Sequence, residues 1–487
     1  MLQFPMLTKT NYLAYTQCPK HLWLATHKPH LATAPNPSAL RRLQAGQEVD
    51  EAARGEFAEG ILIPHRPQPQ EMATLTAEAI ADGAETLFQA TFAAQDLLVK
   101  ADILTQTTQG WHLIEVKSST KYKPKEHLPD AAFQLHVLQQ AGLNISQISL
   151  MHLNSDCRYP DLSNLFTLTD ITDKAITALP QVESDVATMR QLMAAADAPE
   201  TNIGRHCTRP HTCPFYDHCW QGVEGLTIYD IPRLNVKKER PLQDAGILYL
   251  ADIPPDYPLT ATQRAFVDFI VQEQINIDHA TIQQQLDELV YPLYFFDFET
   301  IDYAVPAFDG CKPYQQIPFQ YSCHILDVDG TLTHCEYLHT DRSDPRRPLA
   351  EALLNHIGET GSLIAYNIPF ERSVLRHLAD QFPEYADRLT SMADRLWDQL
   401  PIFRKHYRDH RFGKSNSLKA VLPVIIVPSL SYKLLDVQNG TQAQVVWEEM
   451  IGEGDKQQMI KQLLAYCHLD TLAMVEIHYA LIALATS

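Results

Sequence analysis

Asp297 and Glu299 sit two residues apart in Tyr294-Phe-Phe-Asp-Phe-Glu-Thr300, a run of strand-forming residues preceded by Pro292. Side chains alternate along a strand, so both carboxylates point to one face. Two acids side by side among aromatics repel each other, and a divalent metal ion removes that repulsion. The plain alternative is the solvated face of an edge strand. Further acids lie downstream. Leu363 to Asn367 reads as a second apolar strand. Ile368-Pro-Phe-Glu371 then opens a helix, with proline near its first position and an acid in its first turn. Met459 to Leu484 has helical periodicity and carries Tyr466 and Asp470 four residues apart, on one helical face.

A second set lies in the first half of the chain. Asp102 falls in a predicted strand from Leu97 to Leu104, and Glu115 and Lys117 in another from Trp111 to Lys117. The polar turn from Thr105 to Gly110 joins the two as a hairpin. Glu115 and Lys117 then share a face. Two acids can hold a metal, and a lysine beside them can help activate a water or steady the charge on a phosphate. A surface ion pair is the plain alternative. Upstream, a helix capped by Ser38 and running to about Phe57 carries Gly46 and Asp50; downstream, a helix from Glu126 to Ala141 carries Gln134. Cys18 ends a short helix capped by Thr8, and Cys207, Cys213 and Cys219 follow at the far end of this half. The two-residue loops usual in zinc ribbons are absent. Cys157, Cys311, Cys323, Cys335 and Cys467 have no such company and read as buried thiols.

These residues need scaffolds, and 487 residues are too many for one ordinary core. More than one domain is expected. The apolar fraction of 45% is that of a globular protein. No run reads as a membrane span, and Met1 to Pro5 lacks a signal-peptide pattern, so a cytoplasmic protein is expected. Nine cysteines, an odd number, argue against a disulfide framework. A net charge of −20 excludes a generally basic nucleic-acid coat. Local cations remain: Lys117 to Lys125 and Arg404 to Lys419 are basic clusters or, equally, solvated loops. A long helical stretch from Asp170 to Ala196 holds Pro180 as a kink. From Leu226 onward prolines give way to a helical pattern over Ala261 to Leu289, a connector without catalytic candidates. The short helix-turn-helix pattern around Leu242 to Gly246 reads as packing ahead of a contact to a nucleic-acid backbone. Asp327-Val-Asp-Gly330 is a hairpin turn between strands Phe319 to Leu326 and Thr331 to Leu338.

The three C-terminal motifs, in this order, resemble those of the DEDD superfamily of 3′-to-5′ exonucleases on the RNase H-like fold. Asp297-x-Glu299 matches the first motif. Asn367-Ile-Pro-Phe-Glu371 matches the second, with Glu where the family has Asp. Tyr466-x-x-x-Asp470 matches the third, tyrosine-containing motif. The order of helix, Asp102, Glu115-x-Lys117 and Gln134 resembles the PD-(D/E)xK nucleases of the RecB-like type. Asp50 stands where a histidine is frequent, and Leu138 where a tyrosine follows the glutamine. One early cysteine and three late ones resemble the iron–sulfur members of that group, in which a cluster, expected as 4Fe–4S, staples the domain ends; zinc is the alternative. The whole chain resembles uncharacterised bacterial proteins that fuse the two, including Leu7-Thr-Lys-Thr-Asn-Tyr12, Gln17-Cys-Pro-Lys20 and Ser417-Leu-Lys419.

The resemblance implies an α/β multi-domain protein. A PD-(D/E)xK domain with a four-cysteine cluster would span 1–225, a helical connector 226–289, and an RNase H-like mixed-sheet exonuclease domain 290–487. It implies two metal-dependent nuclease sites acting on DNA ahead of RNA, in repair or in defence against foreign nucleic acid. Asp297, Glu299, Glu371 and Asp470 would hold Mg²⁺ or Mn²⁺ with Tyr466 orienting water. Asp102, Glu115 and Asp50 would hold metal with Lys117 and Gln134 beside them. The rival expectation is a nucleic-acid-binding or assembly protein with one or both heads inactive.

Overall fold

The computed structural model describes residues 6–426, 430–452 and 455–485. The Met1 to Pro5 start, read above for a signal peptide, lies outside them. The molecule is α/β with mixed sheets and divides into two units. One comprises Met1–Val223 with Tyr303–Gln315, the other Glu224–Asp302 with Gln316–Ser487.

The first unit is built on a seven-stranded sheet of β1 (Leu7–Thr8), β2 (Ile61–Leu62), β3 (Thr86–Ala94), β4 (Leu97–Thr107), β5 (Gly110–Lys117), β6 (Ile145–Leu153) and β7 (Phe166–Asp170). The path runs β2-β3-β4-β5-β6-β7, with β1 beside the start of β4. β3, β4 and β5 form an antiparallel meander, while β6 runs parallel to β5 because a helix, Pro124–Gln140, makes the crossover. That helix and Thr172–Ala194 cover one face with Phe133, Leu135, Val182 and Met189. The other face takes Val49 and Ala53 of helix Pro37–Arg54, and also Ala304, Val305 and Tyr314 from the 303–315 segment. The cap of Pro37–Arg54 is Asn36, not Ser38: the Asn36 carboxamide accepts from the Ala39 amide at 2.9 Å, and proline takes the first helical position. Thr8 does cap its helix, in a reciprocal box with Asn11.

The second unit holds a five-stranded sheet in the order β11-β10-β9-β12-β13, once β8 (Ile275–Ile277) is set aside. The strands are β9 (Leu293–Ile301), β10 (Ile317–Leu326), β11 (Leu332–Leu338), β12 (Ser362–Ala365) and β13 (Leu396–Asp398). β9 is central, antiparallel to β10 and parallel to β12. Its alternation sorts the faces. Tyr294, Phe296 and Phe298 enter a core with helices Arg346–His356, Pro369–Gln381 and Ala386–Asp394. Leu293 and Phe295 face Met474 and Val475 of the C-terminal helix Lys456–Ala485. By length and composition this last helix could cross a membrane, a property the sequence reading did not register. Its most apolar stretch is 56% buried, and Met474 and Val475 lie against the sheet. The predicted helix over Ala261 to Leu289 is two helices, Ala261–Val271 and His279–Asp287. Between them β8 pairs with β14 (Tyr407–Asp409), so tertiary pairing overrides the helical pattern. A small core of Ile228, Leu234, Leu242 and Val267 absorbs the 242–246 turn as packing.

Candidate functional site

The odd-numbered face of β9 that packs on the C-terminal helix also carries Asp297 and Glu299. Their carboxylates and the Cys467 thiol lie within 4.8 Å of one another. Glu299 and Asp470 are buried, and Glu371 is 2% exposed. Glu371 arrives from the first turn of Pro369–Gln381, which follows a tight turn at Asn367. Asn367 has φ 79°, a conformation asparagine tolerates, and its amide donates to Asp398 Oδ1 at 2.9 Å. Glu371 and Asp297 share a side-chain hydrogen bond, yet Glu371 Oε2 is buried with no partner. Asp470 accepts from the hydroxyls of Tyr432 and Tyr466. Lys419 Nζ lies 3.2 Å from Tyr466 Oη and over the rings of Tyr432 and Tyr466 at 4.8 and 5.0 Å.

Four acids this close, Asp297 half-buried and the other three buried, resist ionisation. Burial, then the charges of Asp470, Glu299 and Glu371, holds the Asp297 carboxyl well above its ordinary range. Burial and then Asp470 do the same to Glu299. Burial lifts Glu371 to about 8 and Asp470 to about 6. Lys419 opposes the rise at Glu299 and Asp470. Beside Glu299 a cleft of about 480 Å³ opens, lined by Phe298, Thr300, Gln316, Phe370 and Gln444 among others. Gly440 borders it: a Cβ there would stand 3.4 Å from Glu299 Oε2. The residues therefore suit a hard divalent ion, which supplies the missing positive charge and a partner for Glu371 Oε2.

The N-terminal set also converges, with a different balance. Lys117 Nζ lies 2.6 Å from Glu115 Oε1 and 2.5 Å from Asp130 Oδ2. Lys9 Nζ reaches Glu115 Oε1 at 2.8 Å and Asp130 Oδ1 at 3.4 Å. Gln134 Nε2 donates to Glu115 Oε2 at 2.5 Å and to Asp130 Oδ1 at 2.9 Å. Asp102 Oδ2 accepts from the Val116 amide at 3.0 Å. Burial works against the Glu115 charge, but Lys117, Lys9 and the Gln134 bond outweigh it and hold the carboxyl well below its usual range. Burial and the Glu115 charge push Asp102 up to about 7. Asp50 stays apart from this hydrogen-bonded set. It accepts from Gln89 Nε2 at 3.0 Å and pairs with Arg54 at 3.4 Å. Gln89 interrupts β3 with φ 55°, opposite Asp102, so the sheet is irregular where these acids meet. Two lysines already neutralise Glu115 and Asp130, and a metal at Glu115 fits only if one is displaced.

The four cysteines gather in the first unit. Cys213 feels the charges of Cys18, Cys207 and Cys219, and burial first of all pushes its thiol up to about 11. His206 bonds Cys18 and Cys207, which raises the imidazole to about 10. Gln17, next to Cys18, donates to the carbonyls of His206, Arg209 and His211 at 2.9, 3.3 and 2.8 Å. The donor set fits a thiolate-held metal centre tying the two ends of the unit. Of the remaining cysteines, Cys335 is only half-buried; the other four are buried.

Sequence reasoning missed Lys9 and Asp130 in the first cluster and Tyr432 and Asp398 in the second. Asp130 did leave a signal, four residues before Gln134 on one helix face. Lys419 was legible only as part of a basic cluster. In that cluster Arg411 is engaged by Asp409, Lys414 by Asp230 at 2.8 Å, and Arg408 lies over Phe269 at 4.3 Å.

With this geometry in view, relatives can be placed. Residues 294–417 match the family described as "Domain of unknown function (DUF2779)". That stretch contains Asp297, Glu299 and Glu371 and stops before Tyr466. The chain is 29% identical over 205 residues to "Uncharacterized protein MG366 homolog" of Mycoplasma pneumoniae, covering 38% of this chain and 31% of that one. It is 27% identical over 207 residues to "Uncharacterized protein MG366" of Mycoplasma genitalium, with the same coverage of 38% and 31%. It is 25% identical over 244 residues to "Uncharacterized protein UU173" of Ureaplasma parvum, covering 45% and 35%. The matches thus span about a third of these relatives' length.

Proposed function

We propose that the protein is a metal-dependent nuclease whose second unit trims nucleic-acid strands from the 3′ end. The observation that carries this reading is a set of four carboxylates, three of them buried, with one buried oxygen, Glu371 Oε2, left without a partner. Asp297, Glu299, Glu371 and Asp470 would hold Mg²⁺ or Mn²⁺. Such ions lower the pKa of an attacking water and stabilise the leaving oxygen of a phosphodiester. The chain's own groups do the rest. Tyr466 Oη, with Lys419 at 3.2 Å, orients the water and keeps a cation near the developing negative charge. Phe370, half-buried in the lining of the cleft beside Glu299, offers apolar surface for a terminal base. The mixed sheet centred on β9 supports an RNase H-like domain. The helix-covered sheet carrying Asp102, Glu115 and Lys117 supports a PD-(D/E)xK-like one. The gathered thiols support a thiolate-held metal centre as the tie between that domain's ends, an iron–sulfur cluster by the resemblance, with zinc the alternative. DNA is the preferred substrate class, and a cytoplasmic setting fits reduced thiols.

A second reading applies to the first unit alone. Its Glu115 and Asp130 are satisfied by Lys9, Lys117 and Gln134, which favours a platform that binds nucleic acid without cutting it.

The test is digestion of 5′-labelled single-stranded and double-stranded DNA, and of RNA, with Mn²⁺ and with EDTA. Stepwise 3′ shortening that needs metal and vanishes in Asp297→Ala is expected. Metal-dependent trimming that persists in Asp297→Ala, or no cleavage of any strand, overturns the reading.

A further inference from the structure

Three histidines meet on the same face of the sheet, next to the acidic centre and separate from it. His324 on β10 and His334 on β11 are direct cross-strand partners, so both side chains point one way. The C-terminal helix brings His468 over them. The ring centroids are 4.5, 4.7 and 4.4 Å apart, and one ligand nitrogen from each lies within 4.8 Å of the others. His468 Nδ1 and His334 Nε2 are 3.3 Å apart. Nitrogens bound to a tetrahedral zinc at about 2.1 Å stand about 3.4 Å from one another. Small side-chain rotations therefore suffice to close the set.

The surroundings are those of a held ligand set. Thr471 Oγ1 lies 2.8 Å from His324 Nδ1, a contact that orients that ring. Ser322 Oγ lies 2.9 Å from His334 Nε2, the nitrogen that also faces His468, so a metal there would replace this hydrogen bond. Glu336, the cross-strand partner of Ser322, puts Oε2 4.0 Å from the same nitrogen.

We propose that His324, His334 and His468 form a second metal site, for an imidazole-preferring divalent ion such as zinc, with Glu336 or a water completing the shell. It is distinct in chemistry from the carboxylate-rich centre, which suits hard ions. A metal there ties the edge strand β11 and its neighbour β10 to the helix that carries Tyr466 and Asp470.

The experiment uses the full chain, stripped with chelator and dialysed against Zn²⁺. Wild type binds one equivalent more than His334→Ala or His468→Gln, and its melting temperature rises with Zn²⁺ where theirs does not. Asp297→Ala keeps that equivalent, which separates this site from the acidic centre. Co²⁺ serves as the spectroscopic probe. The site gives visible d–d bands that the histidine variants lose. Any Co²⁺ on the cysteines declares itself by near-ultraviolet sulfur charge transfer, which they keep. Melting without metal controls for folding. Should both variants melt early, X-ray absorption of Zn²⁺-loaded wild type decides by imidazole scattering. Equal Zn²⁺ uptake in wild type and histidine variants, loss of the extra equivalent in Asp297→Ala, or a zinc shell without imidazole overturns the proposal.

Discussion

At the scale of single residues, charge balance separates the two clusters. In the acidic centre burial and mutual repulsion raise the carboxyls above their ordinary range, so at pH values above about 4 the metal-free fold binds more protons than the unfolded chain. Its stability is therefore full below about pH 4, where free carboxyls titrate, and falls as pH rises through about 6 for Asp470 and about 8 for Glu371. Melting temperature in EDTA should drop from pH 5 to pH 9, and saturating Mn²⁺ should flatten or reverse the trend, since bound ions favour the ionised acids. An unchanged EDTA profile would mean the acids are already charged. By the same logic Asp297→Ala should not lower metal-free stability, and should raise it by up to about 1 kcal/mol, while losing Mn²⁺ stabilisation and trimming. Tyr466→Phe, which loses only a hydroxyl, should retain more trimming than Asp297→Ala. Lys117 behaves oppositely. It neutralises two acids that are almost fully buried, so Lys117→Ala should cost about 3 kcal/mol in chemical denaturation. Any cleavage by the first unit should go with it, while 3′ trimming remains. If every product is unchanged, that cluster is structural.

At the scale of elements, the first helix is held at its end by Gln17, whose amide reaches three carbonyls of the 206–211 segment. The cysteines lie on the same seam. Anaerobically purified protein is expected to be brown, and Cys213→Ser to lose both the colour and several degrees of melting temperature. Colourless protein with stoichiometric zinc would replace the iron–sulfur assignment by a zinc one. Elements also explain why sequence patterns erred. The helical periodicity of 261–289 is real in both halves, but Ile275–Ile277 is claimed by an antiparallel partner more than a hundred residues away. The cap of Pro37–Arg54 moved two residues because Pro37 is suited to the first helical turn and Asn36 offers the oxygen.

At the scale of the molecule, the chain's two units are not two consecutive halves. Residues Tyr303–Gln315 lie between β9 and β10 in sequence and yet belong to the first unit. There Ala304 is 2% exposed beside Val49 and Leu153, and the Tyr314 hydroxyl donates to the Ser118 carbonyl at 2.6 Å. A fragment ending at residue 225 lacks this cover. It should unfold about 2–4 kcal/mol more easily than the same unit in the full chain, from the apolar area left bare. Urea melts followed by a probe in the first unit would show it, and equal midpoints would mean that the 303–315 cover contributes nothing.

Sequence alone determined the local chemistry: which acids share the β9 face, that Glu371 opens a helix, that Tyr466 and Asp470 are a turn apart, and that Glu115 and Lys117 point together. Each follows from the repeat of a strand or a helix and needs no knowledge of neighbours. Lys9 against Glu115, Tyr432 against Asp470, Lys419 against Tyr466 and His468 against His334 were not available from it. These pairs are separated by dozens to more than a hundred residues, and their encounter depends on how sheets, helices and crossovers pack. Charge balance is likewise a property of that encounter. The same acid types stand neutralised by lysines in one unit and short of positive charge in the other, and only the tertiary structure decides which.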